Sequence, residues 1–368
     1  MRVIPEKWPT KWPKTVIEKI PLYPFVAARS VMFTAESLLG PLIDVAISRK
    51  RPRLPTDDPE LFQAARASLE EILRRDVENI QNGVYPVDVL MPESPLKHIL
   101  RIPKMFLEGW EIARRRREHK SKEFSETARA LLDDPDVPDY YKRNFHYQGD
   151  GYLSEESAEL YEHQVEVLFA GAADAMRRLI LAPMRKHFGT SDGEGLKFLE
   201  LGAGTGRTTK FVRLAFPKAK IVAVDLSSPY LKRAQDQLRN FARHDFLEAD
   251  AAKLPFLDET FDAVYSVFLF HELPMEARKK VVAEGIRVLK QGGYYGLVDS
   301  LQLGDVPRFD SALERFPVEF HEPFYANYVK NPIEHVLKTH GLEDLSTQTG
   351  FFSKVVSSRK ELNEASRS

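Results

Sequence analysis

The sequence predicts an α/β protein: a doubly wound, seven-stranded sheet in the C-terminal half, preceded by an all-helical extension. Three observations carry this. From Leu196 onward, short apolar runs alternate with amphipathic stretches, the pattern of strands separated by crossover helices. A glycine-rich turn follows the first of these runs, at 202–206. Before residue 190 the apolar residues recur at helical spacing instead.

The strands are expected at Lys197–Leu201, Lys220–Asp225, Asp245–Glu248, Phe261–Val267 and Tyr294–Asp299, with a last pair near Glu343–Thr349 and Phe352–Ser357. The acidic, glycine-rich Thr190–Gly195 separates the two halves. The division expected is a helical region and lid over 1–150, a connecting helix over 151–190, the sheet domain over 191–358 and a tail over 359–368. A length of 368 residues suits two such units.

Within the helical part, Asp58-Pro59 has the form of an N-cap and first-turn proline, followed by Leu61, Phe62, Ala65, Leu69, Ile72, Leu73, Val77 and Ile80 on one face. The stretch 95–120 carries eight basic residues (Lys97, Arg101, Lys104, Arg114, Arg115, Arg116, Arg117, Lys120) against Glu108, Glu111 and Glu118. It reads either as a solvated helix end or as a surface for anionic lipid. Phe25–Ile47 is apolar but interrupted by Arg29, Glu36 and Asp44, a buried or surface-lying helix and not a membrane span. Residues 138–154 gather tyrosines, Phe145, His146 and two glycines, the composition of a substrate lid or of a packing surface for the helix capped by Ser154.

Composition narrows the function. Net charge −1 with 29% charged residues gives no footprint for nucleic acid. The absence of cysteine excludes disulfides, thiolate catalysis and cysteine-based zinc sites. The ten histidines show no helical His pair, so no metal is expected. Prolines at 5, 9, 13, 21 and 24 interrupt any signal-peptide core, so the expected location is cytoplasmic.

The turn itself reads Glu200-Leu201-Gly202-Ala203-Gly204-Thr205-Gly206-Arg207. It lacks the third small residue of a dinucleotide fingerprint and the Gly-Lys-Ser/Thr ending of a P-loop. An acid at 200 repels a pyrophosphate but suits a cationic ligand. The sequence here resembles the class I S-adenosylmethionine (SAM) dependent methyltransferases, whose first motif is E/D-x-G-x-G-x-G. The likeness spans the SAM-binding core, and within the family it is to the group that includes the ubiquinone and menaquinone biosynthesis methyltransferases.

The resemblance implies a Rossmann-like sheet and SAM as cofactor, held by Glu200, Gly202, Ala203, Gly204, Gly206, Asp225, Leu226, Asp250, Ala251 and Ser266. By resemblance Asp225 takes the ribose hydroxyls, Leu226 packs on adenine, Asp250 and Ala251 bond its edge, and Arg287–Gly293 forms the turn into strand five. Strand four ends in Phe268-Leu269-Phe270-His271-Glu272-Leu273-Pro274 without the Asn/Asp-Pro-Pro-aromatic signature of nucleic-acid amino-methyltransferases. The candidate catalytic residues are His271, Tyr152 and His146. His271 has an ordinary pKa near 6.5 and could act as a base or simply pack. Glu272 is expected at a helix N-terminus. His321 and Tyr325, in an aromatic segment at 316–328, are further candidates for covering the acceptor.

The function expected is therefore methyl transfer from SAM to a small, partly hydrophobic or aromatic acceptor, its nucleophilic atom open. A peripheral membrane enzyme acting on a quinone or lipid, and a non-catalytic SAM-binding interaction module, remain as alternatives.

Overall fold

The structure is a computed structural model that describes residues 21–38, 57–91, 95–118, 133, 137–142 and 150–362. In chain order the helices and strands are α1 (Leu22–Ser37), α2 (Pro59–Gln81), α3 (Pro95–Glu118), α4 (Glu155–Leu168), α5 (Ala173–Arg177), α6 (Leu181–Phe188), β1 (Lys197–Leu201), α7 (Arg207–Ala215), β2 (Lys220–Asp225), α8 (Ser228–Leu238), β3 (His244–Glu248), β4 (Phe261–Val267), α9 (Met275–Val288), β5 (Leu289–Ser300), α10 (Asp310–Glu319), α11 (Tyr325–Lys330), α12 (Ile333–Thr339), β6 (Ser346–Gly350) and β7 (Ser353–Arg359).

Seven strands form one sheet in the order β3-β2-β1-β4-β5-β7-β6. The first five are parallel, and β7 runs antiparallel between β5 and β6. The reversal of strand order between β1 and β4 opens a crevice at their carboxyl ends, where loops meet a ligand. β1 buries both faces because helices cover both: Phe198 belongs to one apolar cluster and Leu199 to the other.

The expected strands hold, with ends that differ by one to three residues at β3, β6 and β7 and a larger shift at β5. β5 begins at Leu289, so the Lys290–Gly293 stretch is strand and not a turn ahead of it. Gly293 is obligatory there, since a Cβ would sit 2.6 Å from Leu289 Cδ1 and 3.0 Å from the Asp262 carbonyl.

The N-terminal helices are not an independent layer. Val26 of α1 and Ile72, Leu73, Val77 and Ile80 of α2 share a cluster with Phe198, Tyr265, Val298 and Val355 of the sheet. The Asp58 side chain caps α2 by accepting from Leu61 N–H, as the Asp-Pro pair predicts. Ser154 caps α4 by accepting from Ser157 N–H.

Buried ion pairs fasten these helices to one another and, through Arg207 of α7, to the helix that follows β1. Arg178 donates two hydrogen bonds to Asp76, at 2.8 and 2.6 Å, and Tyr85 donates to the same carboxylate at 2.7 Å. Asp174 gathers Arg29, Arg177 and Arg207, the last being the residue directly after the glycine turn. These guanidinium groups overcome the cost of burial and hold the Asp174 carboxyl well below its ordinary range.

The basic stretch 95–118 is a single helix, and it is neither fully solvated nor uniformly basic on its surface. Arg101 and Arg115 are buried. Lys104 pairs with Glu159, Arg114 with Glu111, and Arg115 with Glu108. Among its described side chains α3 also exposes apolar ones: Leu100, Leu107 and Trp110 are 61%, 67% and 41% exposed. Among the described residues no helix is long and apolar enough to cross a membrane.

Candidate active site

Two adjoining cavities sit at the carboxyl ends of the parallel strands, and the residues after β1, β2 and β4 build the first. Gly202, Gly204 and Gly206 all adopt positive φ, at 69°, 53° and 78°, which folds the chain tightly between β1 and α7. A Cβ at 202 would meet Leu269 Cδ1 at 3.0 Å, so the glycine lets the β4 loop close over the turn.

Asp225, at the end of β2, fixes this turn. Its Oδ2 accepts from Gly204 N–H at 2.7 Å and its Oδ1 from Ser227 N–H at 2.8 Å. Burial raises its carboxyl pKa, and those N–H groups oppose the rise. The cavity wall continues through Leu226, Ala249, Ala251 and a group of tyrosines, Tyr141, Tyr152, Tyr161 and Tyr230. Tyr230 and Tyr161 meet Tyr152 edge-on, with ring centroids 5.4 and 6.2 Å away.

This donor set fits SAM. Asp225 offers carboxylate oxygens at a strand end for ribose hydroxyls, small side chains leave a slot for a flat base, and tyrosine faces suit a sulfonium cation. Gly202, Ala203, Gly204, Asp225, Leu226 and Ala251 of the expected set line the cavity.

Four others do not, each for a visible reason. Glu200 is 1% exposed, and its Oε2 accepts from Thr209 and Tyr265 at 2.6 and 3.0 Å, under the turn and away from the cavity. Burial outweighs these bonds and raises its pKa to about 8. Gly206 serves packing, since a Cβ there would stand 2.8 Å from Ala234 Cβ. Asp250 accepts from the Tyr140 hydroxyl at 2.9 Å, and it is Tyr140 that lines the cavity. Ser266 lies in β4, 2% exposed.

The second cavity, of about 240 Å³, is lined by Tyr161, Val165, Leu168 and Phe169 of α4, Phe316 and Phe320, Tyr325, Phe352, and the loop after β4. Tyr161, Phe268 and Glu272 line both cavities and form their common boundary. Phe268 reaches it through a φ of 59°, a strained value for an aromatic residue, held by its N–H bonding Val298 O.

At this boundary His271 is not the free imidazole that its position suggests. Its Nδ1 lies 2.6 Å from Asp299 Oδ1 and its Nε2 3.6 Å from Glu272 Oε1. Burial opposes the charged ring, but Asp299 prevails and brings the pKa up to about 9. A lone neutral base near 6.5 is thereby corrected to the cationic half of a buried pair.

Tyr152 is likewise no base. Burial and the Glu272 charge hold its phenol well above the ordinary range, and its hydroxyl donates to Glu272 Oε1 at 2.5 Å. Glu272 sits in a 3₁₀ turn before α9 and faces the cavities, in place of the helix-start contact expected. Tyr325 lines the second cavity and shares a hydrogen bond with Ser300 Oγ. His321 takes a φ of 53° in the turn that precedes Glu322. His146 lies outside the described residues.

Asp299 and Glu322 were invisible to sequence reasoning. Asp299 ends β5 at the carboxyl edge of the sheet, a position that could have signalled it. Glu322, fifty residues beyond Glu272, carries no local pattern.

Residues 198–293 match the family described as a methyltransferase domain. The chain is 31% identical over 180 residues to the fatty-acid O-methyltransferase of Mycolicibacterium smegmatis, 48% of this chain and 58% of that one. It is 36% identical over 103 residues to the ubiquinone/menaquinone biosynthesis C-methyltransferase UbiE of Cronobacter sakazakii, 27% of this chain and 40% of that one. It is also 30% identical over 140 residues to the phosphatidylethanolamine N-methyltransferase of Cereibacter sphaeroides, 37% of this chain and 66% of that one. The chain thus spans about half the length of the curated relatives it matches first. Among solved structures, a SAM-dependent methyltransferase from Aquifex aeolicus aligns at a TM-score of 0.37 and 21% identity, over 48% of this chain and 87% of that one.

Proposed function

We propose that this chain, whose C-terminal half is a class I SAM-dependent methyltransferase domain, moves the SAM methyl to a lipophilic small molecule seated in the second cavity. The observation that carries the reading is the shared boundary. Tyr161, Phe268 and Glu272 touch both the glycine-turn cavity and the apolar one, so ligands in the two would be neighbours across a single layer of side chains.

SAM, when bound, supplies an electrophilic methyl on a sulfonium whose departure leaves a neutral thioether. The chain's part is then alignment and exclusion of water. Asp225, Leu226 and Ala251 would hold the nucleoside, with Gly202–Gly204 allowing close approach. The tyrosine group would face the sulfonium. Glu272, accepting from Tyr152, stands where an acceptor's proton would leave. The apolar lining of the second cavity, Val165, Leu168, Phe169, Phe316 and Phe320, suits an acyl, prenyl or aromatic body. The names of the fatty-acid, quinone and phosphatidylethanolamine relatives agree with that chemistry.

A peripheral association with lipid, from the cytoplasmic side, has its own support. His98 of α3 bonds Glu36 of α1, and both segments expose apolar residues: Val31 of α1 and Leu38 just after it at 70% and 57%, and Leu100, Leu107 and Trp110 of α3. Such exposed apolar side chains suit a bilayer interface.

The test is incubation of purified protein with methyl-labelled SAM and an extract separated into polar, lipid and macromolecular fractions. Gly204→Arg, which would project a side chain into the cofactor cavity, is the inactive control. Label in the lipid fraction above that control is expected. Intact SAM binding with no labelled fraction would leave the non-catalytic binding module as the better reading.

A further inference from the structure

We infer that His271, Glu272 and Glu322 form a binding site for one divalent cation at the boundary of the two cavities, and that the acceptor meets it through an oxygen atom. This rests on the reading that the second cavity holds the acceptor.

One ligating atom from each of the three residues lies within 4.8 Å of the other two. One edge, His271 Nε2 to Glu272 Oε1, measures 3.6 Å. Ligands at bond lengths of about 2.0–2.2 Å stand roughly 3–3.6 Å apart around a metal, so that edge is already at coordination spacing. A small inward movement of Glu322 completes the face.

The surroundings are those of a metal-binding histidine. Asp299, fully buried, engages Nδ1 at 2.6 Å and thereby turns Nε2 toward the two carboxylates. A carboxylate behind a ligating imidazole fixes the ring and strengthens the ligand. Tyr152 similarly fixes Glu272 through its 2.5 Å hydrogen bond. Glu322 is delivered by the tight turn at His321, closed by Glu322 N–H to the Pro317 carbonyl.

Electrostatics favour the same occupant. Asp299, Glu272 and Glu322 are three carboxylates set against the His271 imidazole and the buried Arg278 guanidinium, in a site whose side chains are at most about 13% exposed at His271 and Glu272. A divalent cation exchanging for the Nε2 proton offsets that excess. One nitrogen and two oxygens leave coordination positions open, the arrangement suited to Mn²⁺, Fe²⁺, Zn²⁺ or Mg²⁺. The open side faces the second cavity, which His271, Glu272 and Glu322 all line. A hydroxyl or carboxylate oxygen on the acceptor would fill it. Without a cation, those carboxylates would repel an anionic oxygen.

The sequence hides this site because its ligands are 271, 272 and 322, with no helical spacing between the last and the others. A second set, Glu36, His98 and His163, lies among α1, α3 and α4, with both imidazoles bonded to one carboxylate at 2.8 and 2.7 Å. It serves as the internal control.

The experiment uses full-length protein cleared of metal with a chelator and titrated with Mn²⁺ while free Mn²⁺ is followed by electron paramagnetic resonance. SAM binding is measured in parallel by calorimetry. One Mn²⁺ per chain is expected, weakened at least tenfold by Glu322→Gln and by His271→Ala, and unchanged by Glu36→Gln. Two results overturn the proposal while SAM still binds: no Mn²⁺ binding at millimolar metal, or binding lost in Glu36→Gln and kept in Glu322→Gln. A methylated acceptor with no oxygen atom overturns the oxygen assignment. Failure to bind SAM would instead strike the methyltransferase reading.

Discussion

His271 Nδ1 and Asp299 Oδ1 lie 2.6 Å apart, joining the loop after β4 to the end of β5 at the floor of the second cavity. Asp299 Oδ2 also accepts from Phe270 N–H, so one fully buried carboxylate sets both the ring and the backbone that carries it. Asp299→Asn should therefore lower kcat by roughly tenfold or more, since orientation of a reacting group is worth that much when lost. SAM affinity should stay within about twofold, because Asp299 does not line the cofactor cavity. Equal loss of SAM affinity and turnover would mean that Asp299 only supports the fold.

Asp225 organises the cofactor cavity through Gly204 and Ser227. Asp225→Ala should weaken SAM binding by about 10- to 100-fold, as expected when a charged hydrogen-bond acceptor is removed. Asp225→Asn should fall between that variant and wild type. Calorimetric titration with SAM and S-adenosylhomocysteine measures both, and wild-type affinity in Asp225→Ala would remove this residue from the cofactor site.

Glu200 makes the sign of a pH effect testable. Its folded pKa is raised to about 8 by burial, above the ordinary value of 4.5, so the folded state holds a proton that the unfolded chain releases. The stability contributed by the neutral carboxyl is complete below about pH 4.5 and is lost as pH rises through 8. Glu200→Gln keeps an acceptor for Thr209 and Tyr265 without the charge. It should melt higher than wild type at pH 8.5, by roughly 5 °C, with the gap closing toward pH 5. A gap independent of pH in a thermal scan would show that Glu200 ionises normally.

The Asp76–Arg178 pair ties α2 to the 3₁₀ turn between α5 and α6 and tests whether α2 folds with the rest of the chain. Both side chains are 2% exposed, and cutting one partner leaves a buried charge. Asp76→Ala should cost about 3–5 kcal/mol in chemical denaturation. Because α2 and β1 share one apolar cluster, unfolding should remain a single transition by both tyrosine and far-ultraviolet signals. Two separated transitions would assign α2 to an independently folding unit.

Much of the fold was legible because period and turn chemistry are local. The alternation after Leu196 gave all seven strands, and the glycines at 202, 204 and 206 marked the turn where positive φ is required. Asp58-Pro59 and Ser154 announced their helices through capping groups acting three residues away. Motif reading named Gly202, Gly204, Asp225 and Ala251, which line one cavity because a motif maps onto backbone position. It was misread where a side chain had a choice of direction. Glu200 precedes the turn in sequence, yet a strand residue alternates faces, and Thr209 and Tyr265 on the buried side capture its carboxylate.

By itself, then, the sequence determined the order of strands and helices, the glycine turn and the acid at the end of β2, since each depends on residues within a few positions of one another. Only the tertiary structure decided what surrounds His271. Asp299, Tyr152 and Glu322 come from 28, 119 and 51 positions away, and burial among them changes a lone imidazole into a cation between carboxylates. The electrostatic environment of a buried group is set by whatever packs against it, and packing partners separated by a whole crossover leave no periodic trace in the chain.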